Sequence, residues 1–89
     1  MREIEVLEQL SYIIEAIAEG ATSEARRETP VLLEKLEEDG ALSPDVRAML
    51  LERVRGAVSA LGSRGDDLAK TAAWLSGASR QLWKRQLRG

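Results

Sequence analysis

The sequence contains no cysteine and no histidine among its 89 residues. Disulfide bonds and the commonest zinc-ligand sets are therefore excluded, as are mechanisms that need a histidine base or a cysteine nucleophile. A chain this short has a thin stability margin, which small domains often offset with disulfides, metals or oligomerisation. With the first two removed, association with another chain is the expected source of added stability.

Aromatic residues are also scarce, since Phe is absent and only Tyr12, Trp74 and Trp83 carry rings. The core must then consist of Leu, Ile, Val and Ala. That composition suits closely packed helices better than strands, which favour β-branched and aromatic residues. The length allows one domain, over residues 1–89, and not two.

No apolar run approaches the roughly 20 residues needed to span a bilayer. The first residues are acidic and lack the apolar segment of a secretory signal. These features predict a cytoplasmic protein without a membrane partner.

Glycine divides the chain into four segments in which apolar residues recur at the helical period. Gly20 fits a left-handed residue just after the first helix, and Ser43-Pro44 is a strong start signal for the third. The short connections at Gly20, Gly40 and 62–65 predict antiparallel neighbours. The expected fold is all-α, a small antiparallel four-helix bundle.

Two places favour an interruption inside a helix. Pro30 either breaks or kinks the second helix, and a break with Thr29 as the N-cap is the preferred interpretation. Ser76, Gly77 and Ser79 are weak helix formers, so the fourth helix is a candidate for a kink or split near Gly77.

Charge is unevenly distributed along the chain, whose net charge is −2. Residues 1–20 hold one Arg and five Glu, whereas residues 63–89 hold six basic and two acidic residues. In an up-down-up-down bundle the acidic first helix lies beside the basic fourth, so the charge pattern supports this closure.

Short catalytic motifs are missing from the sequence. There is no Ser-x-x-Lys, no Gly-x-x-x-x-Gly-Lys phosphate loop, no Gly-x-Gly-x-x-Gly fingerprint and no calcium loop. The acidic run Glu34, Glu37, Glu38 and Asp39 points in several directions around a helix, which is typical of a solvated helix end. We therefore expect neither an enzyme nor a protein that binds a cofactor, a metal or a small-molecule substrate.

Trp74 is the sharpest candidate for a partner-binding residue. At 100° per residue it falls away from the stripe of Leu68, Leu75 and Leu82, among basic and polar side chains. An exposed Trp among cations is typical of an interface anchor, whereas the alternative is that Trp74 covers a second core surface. Trp83 lies on the apolar stripe and is predicted to be core. The candidate partner-binding residues are Lys70, Trp74, Gln81, Lys84 and Arg85.

Residues 32–44, with the sequence LLEKLEEDGALSP, form the corner between the second and third segments. This stretch resembles the helix–Gly–x–Leu–Ser/Thr–helix corner of many helical adaptor modules, among them death-fold domains of the caspase-recruitment type. The resemblance implies a signalling adaptor with six short helices. Six helices would require splits at both Pro30 and Gly77.

The leading functional hypothesis is a non-catalytic protein–protein interaction or oligomerisation module, or a small adaptor subunit. Its partner would be another protein or a second copy of the chain in a homodimer. The death-fold-like signalling adaptor is one alternative. Nucleic-acid binding by the basic C-terminal helix is the other, although the acidic pI of about 5.2 opposes it.

Overall fold

The computed structural model describes residues 1–62 and 67–88, and these residues form four helices. The helices are α1 (Glu3–Ala18), α2 (Thr22–Glu38), α3 (Pro44–Gly62) and α4 (Leu68–Arg88). Helix α1 packs against α2 and α4, and helix α3 packs against the same two neighbours. The predicted four-helix bundle is confirmed. Six short helices, as implied by the resemblance to death-fold domains, are not found in the described part of the chain.

The core is aliphatic, as the composition predicts, and receives side chains from all four helices. Its buried members are Val6, Leu7, Leu10, Ile13, Ala25, Leu32, Leu36, Leu42, Val46, Leu50, Leu51, Val54, Ala57, Leu75, Ala78 and Leu82. No aromatic side chain belongs to this buried set, and Trp74 only packs against its margin. The radius of gyration of 12.3 Å matches the roughly 12 Å expected of a compact domain of this length.

The end of α1 has the backbone geometry that its glycine predicts. Gly20 has a φ of +79°. Its N–H donates to the carbonyl of Ile17 at 3.1 Å, and the N–H of Ala21 donates to the carbonyl of Ala16 at 2.8 Å. These two bonds are those of a Schellman motif, which needs a left-handed residue where Gly20 lies.

The corner between α2 and α3 is closed by a side chain that sequence reasoning did not single out. Helix α3 begins at Pro44, directly after Ser43, as predicted. From its first turn, Arg47 donates to the carbonyl oxygen of Leu36 at 3.0 Å and to that of Glu37 at 2.5 Å. The last carbonyls of a helix lack partners within the helix. Arg47 supplies partners for two of them and so ties α3 to the end of α2.

Pro30 lies inside α2, which continues on both sides of it, so the predicted break is wrong. Thr29 is buried and its hydroxyl donates to the carbonyl of Ala25 at 2.7 Å, so it is a core residue and not an N-cap. Ala25 lies before the proline on the buried face, and Leu32 and Leu36 lie after it. Burial of that face against α1 and α3 offsets the roughly 3 kcal/mol that an interior proline costs.

Helix α4 likewise continues through Gly77 without a split. Leu75 before the weak segment, Ala78 within it and Leu82 after it are all buried. Their packing holds the helix together where its local propensity is low.

Asp39 closes the α2–α3 corner from the other side. Its Oδ2 accepts hydrogen bonds from the N–H groups of Ala41 at 3.0 Å and Leu42 at 2.7 Å, and its Oδ1 contacts the amino group of Met1. These hydrogen bonds lower the pKa of Asp39 below its ordinary value, with the largest contribution from the amino group of Met1 and the next from the N–H of Leu42.

Acid should therefore destabilise the fold partly through Asp39. Because its pKa is lower when folded than when unfolded, its contribution is present above the unfolded-state value of about 4 and is lost as pH falls through the folded pKa. In urea unfolding between pH 7 and pH 2, we expect Asp39→Asn to be less stable than the wild type at pH 7 but to lose less stability toward acid.

The matched control is Glu34→Gln, which removes an exposed carboxylate that makes no hydrogen bond to the described residues. This variant should follow the wild-type curve. If the free energy of unfolding of Asp39→Asn fell as steeply toward acid pH as that of the wild type, the role given to Asp39 would be wrong.

Candidate functional site

Trp74 is half-buried and lies on the side of α4 that faces α3. Its indole lies against Gly56, where an added Cβ would come within 2.5 Å of the ring atom Cε2 and 2.6 Å of Cδ2. The ring thus occupies the space that the missing side chain of Gly56 leaves open. This contact agrees with the interpretation in which Trp74 covers a core surface.

The five candidate residues from the sequence do not meet at one place. Lys70 and Trp74 together line two shallow depressions along the boundary between α3 and α4. Gln81 and Arg85 line a separate depression near the end of α4. Lys84 is exposed and lines none of these. The structure therefore gives two pairs of neighbours rather than a single binding site.

Arg85 joins the last helix to the first. Its Nε donates to Oε1 of Glu3 at 3.1 Å, and its Nη2 donates to Oε2 of the same carboxylate at 3.3 Å. The hydrogen bond to Glu3 raises the pKa of Arg85. The contact confirms that the acidic α1 lies beside the basic α4, with the start of α1 at the height of the end of α4.

Trp83 is 51% exposed, so the prediction that it belongs to the core is wrong. The side chains that α4 buries follow a narrow stripe with spacings of three and four residues: Thr71, Leu75, Ala78 and Leu82. Trp83 directly follows Leu82 and is therefore rotated about 100° from it around the helix. That rotation places the indole beside α1, outside the core.

Trp83 lies in a shallow depression between α1 and α4, which we call the α1–α4 surface. It is lined by Ile4, Leu7, Glu8, Ser11, Tyr12, Glu15 and Trp83. Leu7 is buried, whereas Ile4 and Tyr12 are 41% and 48% exposed. Leu87, one turn beyond Trp83, is 84% exposed. Two of the three aromatic side chains of the chain thus lie exposed beside aliphatic ones.

Tyr12 is held in place by the neighbouring helix α2. Its hydroxyl donates to Oε2 of Glu24 at 2.6 Å, and Arg27 donates to the other oxygen of that carboxylate at 2.5 Å. The hydrogen bond to Glu24 raises the pKa of Tyr12, and the same bond lowers the pKa of Glu24. With the hydroxyl engaged by α2, Tyr12 contributes mainly its ring to the α1–α4 surface.

Charges of opposite sign flank the exposed apolar side chains. Glu8 and Glu15 line the α1 side of the depression. Arg80 is exposed on α4, one turn before Trp83. Across residues 1–62 and 67–88, none of these three forms an ion pair. Within the described ranges, the α1–α4 surface therefore carries two acidic side chains without an ion pair, and Arg80 on the neighbouring turn of α4 is a base without one.

Other kinds of site find little support in the described ranges. No group of three or more carboxylates there is arranged to hold a metal ion. Among the four described helices, none has both the length and the apolar character needed to cross a membrane. Comparison with protein-family models, curated proteins and solved structures gave no match.

Sequence reasoning missed the α1–α4 surface because it assigned Trp83 to the core. The available signal was the width of the apolar stripe on each helix. Ile4 lies at the edge of a stripe that already covers about half of α1, and Trp83 lies at the edge of the narrower stripe on α4. Two neighbouring helices cover only part of a helix's circumference, so residues at the edge of a wide apolar stripe remain exposed.

Proposed function

We propose that this chain is a non-catalytic protein-interaction module and that the α1–α4 surface is where its protein partner binds. The observation that carries the proposal is the exposure of Trp83 and Tyr12 beside Ile4, although the core is complete without them. A small domain gains nothing in its own stability from apolar side chains left in water. Contiguous exposed apolar surface of this kind is typical of binding sites.

The energetic argument concerns Trp83 in particular. The exposed half of an indole side chain presents on the order of 100 Å² of apolar surface, and covering it is worth about 2–3 kcal/mol. Trp and Tyr are the residues most enriched among those that dominate binding energy. Tyr12 is also fixed by Glu24, so less side-chain freedom is lost when a partner covers it.

Nucleic-acid binding by α4 has weaker support. Three exposed cations, Arg80, Lys84 and Arg88, follow one face of α4 at four-residue spacing. The other two described cations of α4 are directed elsewhere, since Lys70 lies beside Trp74 near α3 and Arg85 is paired with Glu3. Three cations are fewer than the phosphate contacts that a typical nucleic-acid-binding protein makes. Acidic residues also line the α1–α4 surface, where they would repel phosphate.

A crosslinking experiment tests the proposal. A photoreactive residue in place of Ser11, which lines the α1–α4 surface, should give a discrete protein adduct when the chain is irradiated, either in an extract of its source cells or at micromolar concentration after purification. Trp83→Ala should abolish that adduct while lowering the free energy of unfolding by about 1–2 kcal/mol, because half of the side chain is already in water and only the other half is lost from packing.

The control places the same photoreactive residue at Val31, a 40% exposed apolar residue on α2. No adduct that depends on Trp83 should form there. If irradiation at position 11 gives no adduct that depends on Trp83, either with another protein or with the chain itself, the proposed function is wrong.

A further inference from the structure

The ion pair between Glu3 and Arg85 sets the relative heights of two antiparallel helices. Moving five residues up α1 from Glu3 leads to Glu8, and moving five residues back along α4 from Arg85 leads to Arg80. Each of these five-residue distances is about 7.5 Å along the helix axis. Glu8 and Arg80 therefore lie at the same height, on either side of the α1–α4 surface, and neither has an ion-pair partner in the described part of the chain.

Two symmetric arrangements bring the α1–α4 surfaces of two copies face to face with their helices aligned rather than crossed. If the two-fold axis lies across the helices, α1 faces α1 of the other copy, so that Glu8 and Glu15 meet like charges. If the axis runs parallel to the helices, α1 faces α4 of the other copy in antiparallel orientation. Only the second arrangement places acid opposite base.

The parallel axis also matches the apolar side chains. Residues at equal heights on α1 and α4 then oppose one another across the interface, so Trp83 lies opposite the first turn of the other α1, which contains Ile4. The charged pair Glu8–Arg80 falls about one turn away. Because the interface is two-fold symmetric, each of these contacts occurs twice.

We propose that the α1–α4 surface binds a second copy of this chain about a two-fold axis parallel to the helices, with Glu8 of each copy against Arg80 of the other. This inference rests on the proposed function and names the partner of the same surface. The complementary charges select the orientation, and the exposed apolar side chains supply most of the affinity.

Sedimentation equilibrium between 1 and 100 µM, with charge-reversed variants, tests the inference. The wild type should form a dimer in this range. Glu8→Arg and Arg80→Glu should each weaken it by on the order of tenfold or more, since each places like charges opposite one another at two points. The double variant Glu8→Arg/Arg80→Glu restores the opposite charges and should return the dissociation constant to near the wild-type value.

Glu52→Arg is the matched control, because Glu52 is an exposed acid on α3 outside the α1–α4 surface. It should leave the dissociation constant unchanged. A dimer that the double variant fails to restore would overturn the proposed orientation.

Sedimentation and crosslinking together distinguish a failure of the homodimer proposal from a failure of the proposed function. A wild-type chain that stays monomeric at 100 µM, yet gives a Trp83-dependent crosslink to a different protein, overturns the homodimer and leaves the interaction module standing. A monomer with no such crosslink overturns both.

Discussion

Replacing Trp74 with alanine should lower the free energy of unfolding by about 2–3 kcal/mol. The indole is half-buried against Gly56 and the aliphatic core, so its removal leaves a gap between α3 and α4. Deleting a wholly buried Trp costs about 3–5 kcal/mol, and the partial exposure of Trp74 reduces that figure. Urea unfolding followed by far-ultraviolet circular dichroism measures the change.

Trp83→Ala is the matched control for Trp74→Ala, because it also removes an indole from α4 but on the face of the helix that lies beside α1. Its cost in the monomer should be about 1–2 kcal/mol, which is less than that of Trp74→Ala because Trp83 is 51% exposed. Its effect on association should be large. Both variants must be measured at several protein concentrations, since the proposed dimer would add a concentration-dependent term to the free energy of unfolding. Equal losses in the two variants would mean that Trp74 is not the packing residue described above.

The second large effect is expected at Gly56. Exchanging an interior helical glycine for alanine ordinarily stabilises a helix by about 0.5–1 kcal/mol. At Gly56 the new Cβ would lie 2.5 Å from the Trp74 ring, which is rigid and held by the core. Overpacking of this kind costs about 1–3 kcal/mol, so Gly56→Ala should destabilise the fold by at least about 1 kcal/mol.

Gly77→Ala provides a control with the opposite expected sign. The Cβ added there would meet Nη1 of Arg53 at 2.6 Å, but that atom is the end of a flexible side chain and can move away. We therefore expect Gly77→Ala to stabilise α4 by up to about 1 kcal/mol.

A double variant tests whether Trp74 is the cause of the Gly56 effect. Once Trp74→Ala has removed the ring, Gly56→Ala should become neutral or stabilising, so the two substitutions should not be additive. If Gly56→Ala destabilises the chain equally in both backgrounds, the clash with Trp74 is not its cause.

The helix boundaries were predictable because local chemistry determines them. Gly20 ends α1 in a left-handed conformation that other residues avoid, and Pro44, with its fixed φ, is the first residue of α3. The adjacency of α1 and α4 followed from their opposite charges, and Glu3–Arg85 joins them. These features depend on single residues or on the average charge of a segment.

The continuity of α2 was not predictable from local signals. Thr29-Pro30 is a good start signal by itself, and only burial of residues on both sides of Pro30 shows that tertiary packing prevails. The contact between Trp74 and Gly56 was hidden for a similar reason. It joins residues on different helices, and no spacing rule within one helix reveals which glycine faces which ring.

The exposure of Trp83 was missed because periodicity gives the direction of a side chain but not the width of the interface that covers it. In a four-helix bundle, each helix is covered by two neighbours and the rest of its circumference meets water. Trp83 and Ile4 lie just outside the covered arc. The sequence therefore predicted the bundle and its core, but not the edge at which the candidate binding surface begins.

The pairing of the first helix with the last has a consequence during protein synthesis. Glu3 and Arg85 are 82 positions apart, so α1 cannot complete its packing until the residues of α4 have been translated. At about 5–20 residues per second this takes several seconds, during which the α4-facing side of α1, including Leu7, is open to water. Glu8 and Glu15 flank that side and give neighbouring nascent chains the same charge. Their mutual repulsion opposes aggregation until α4 covers that side of α1.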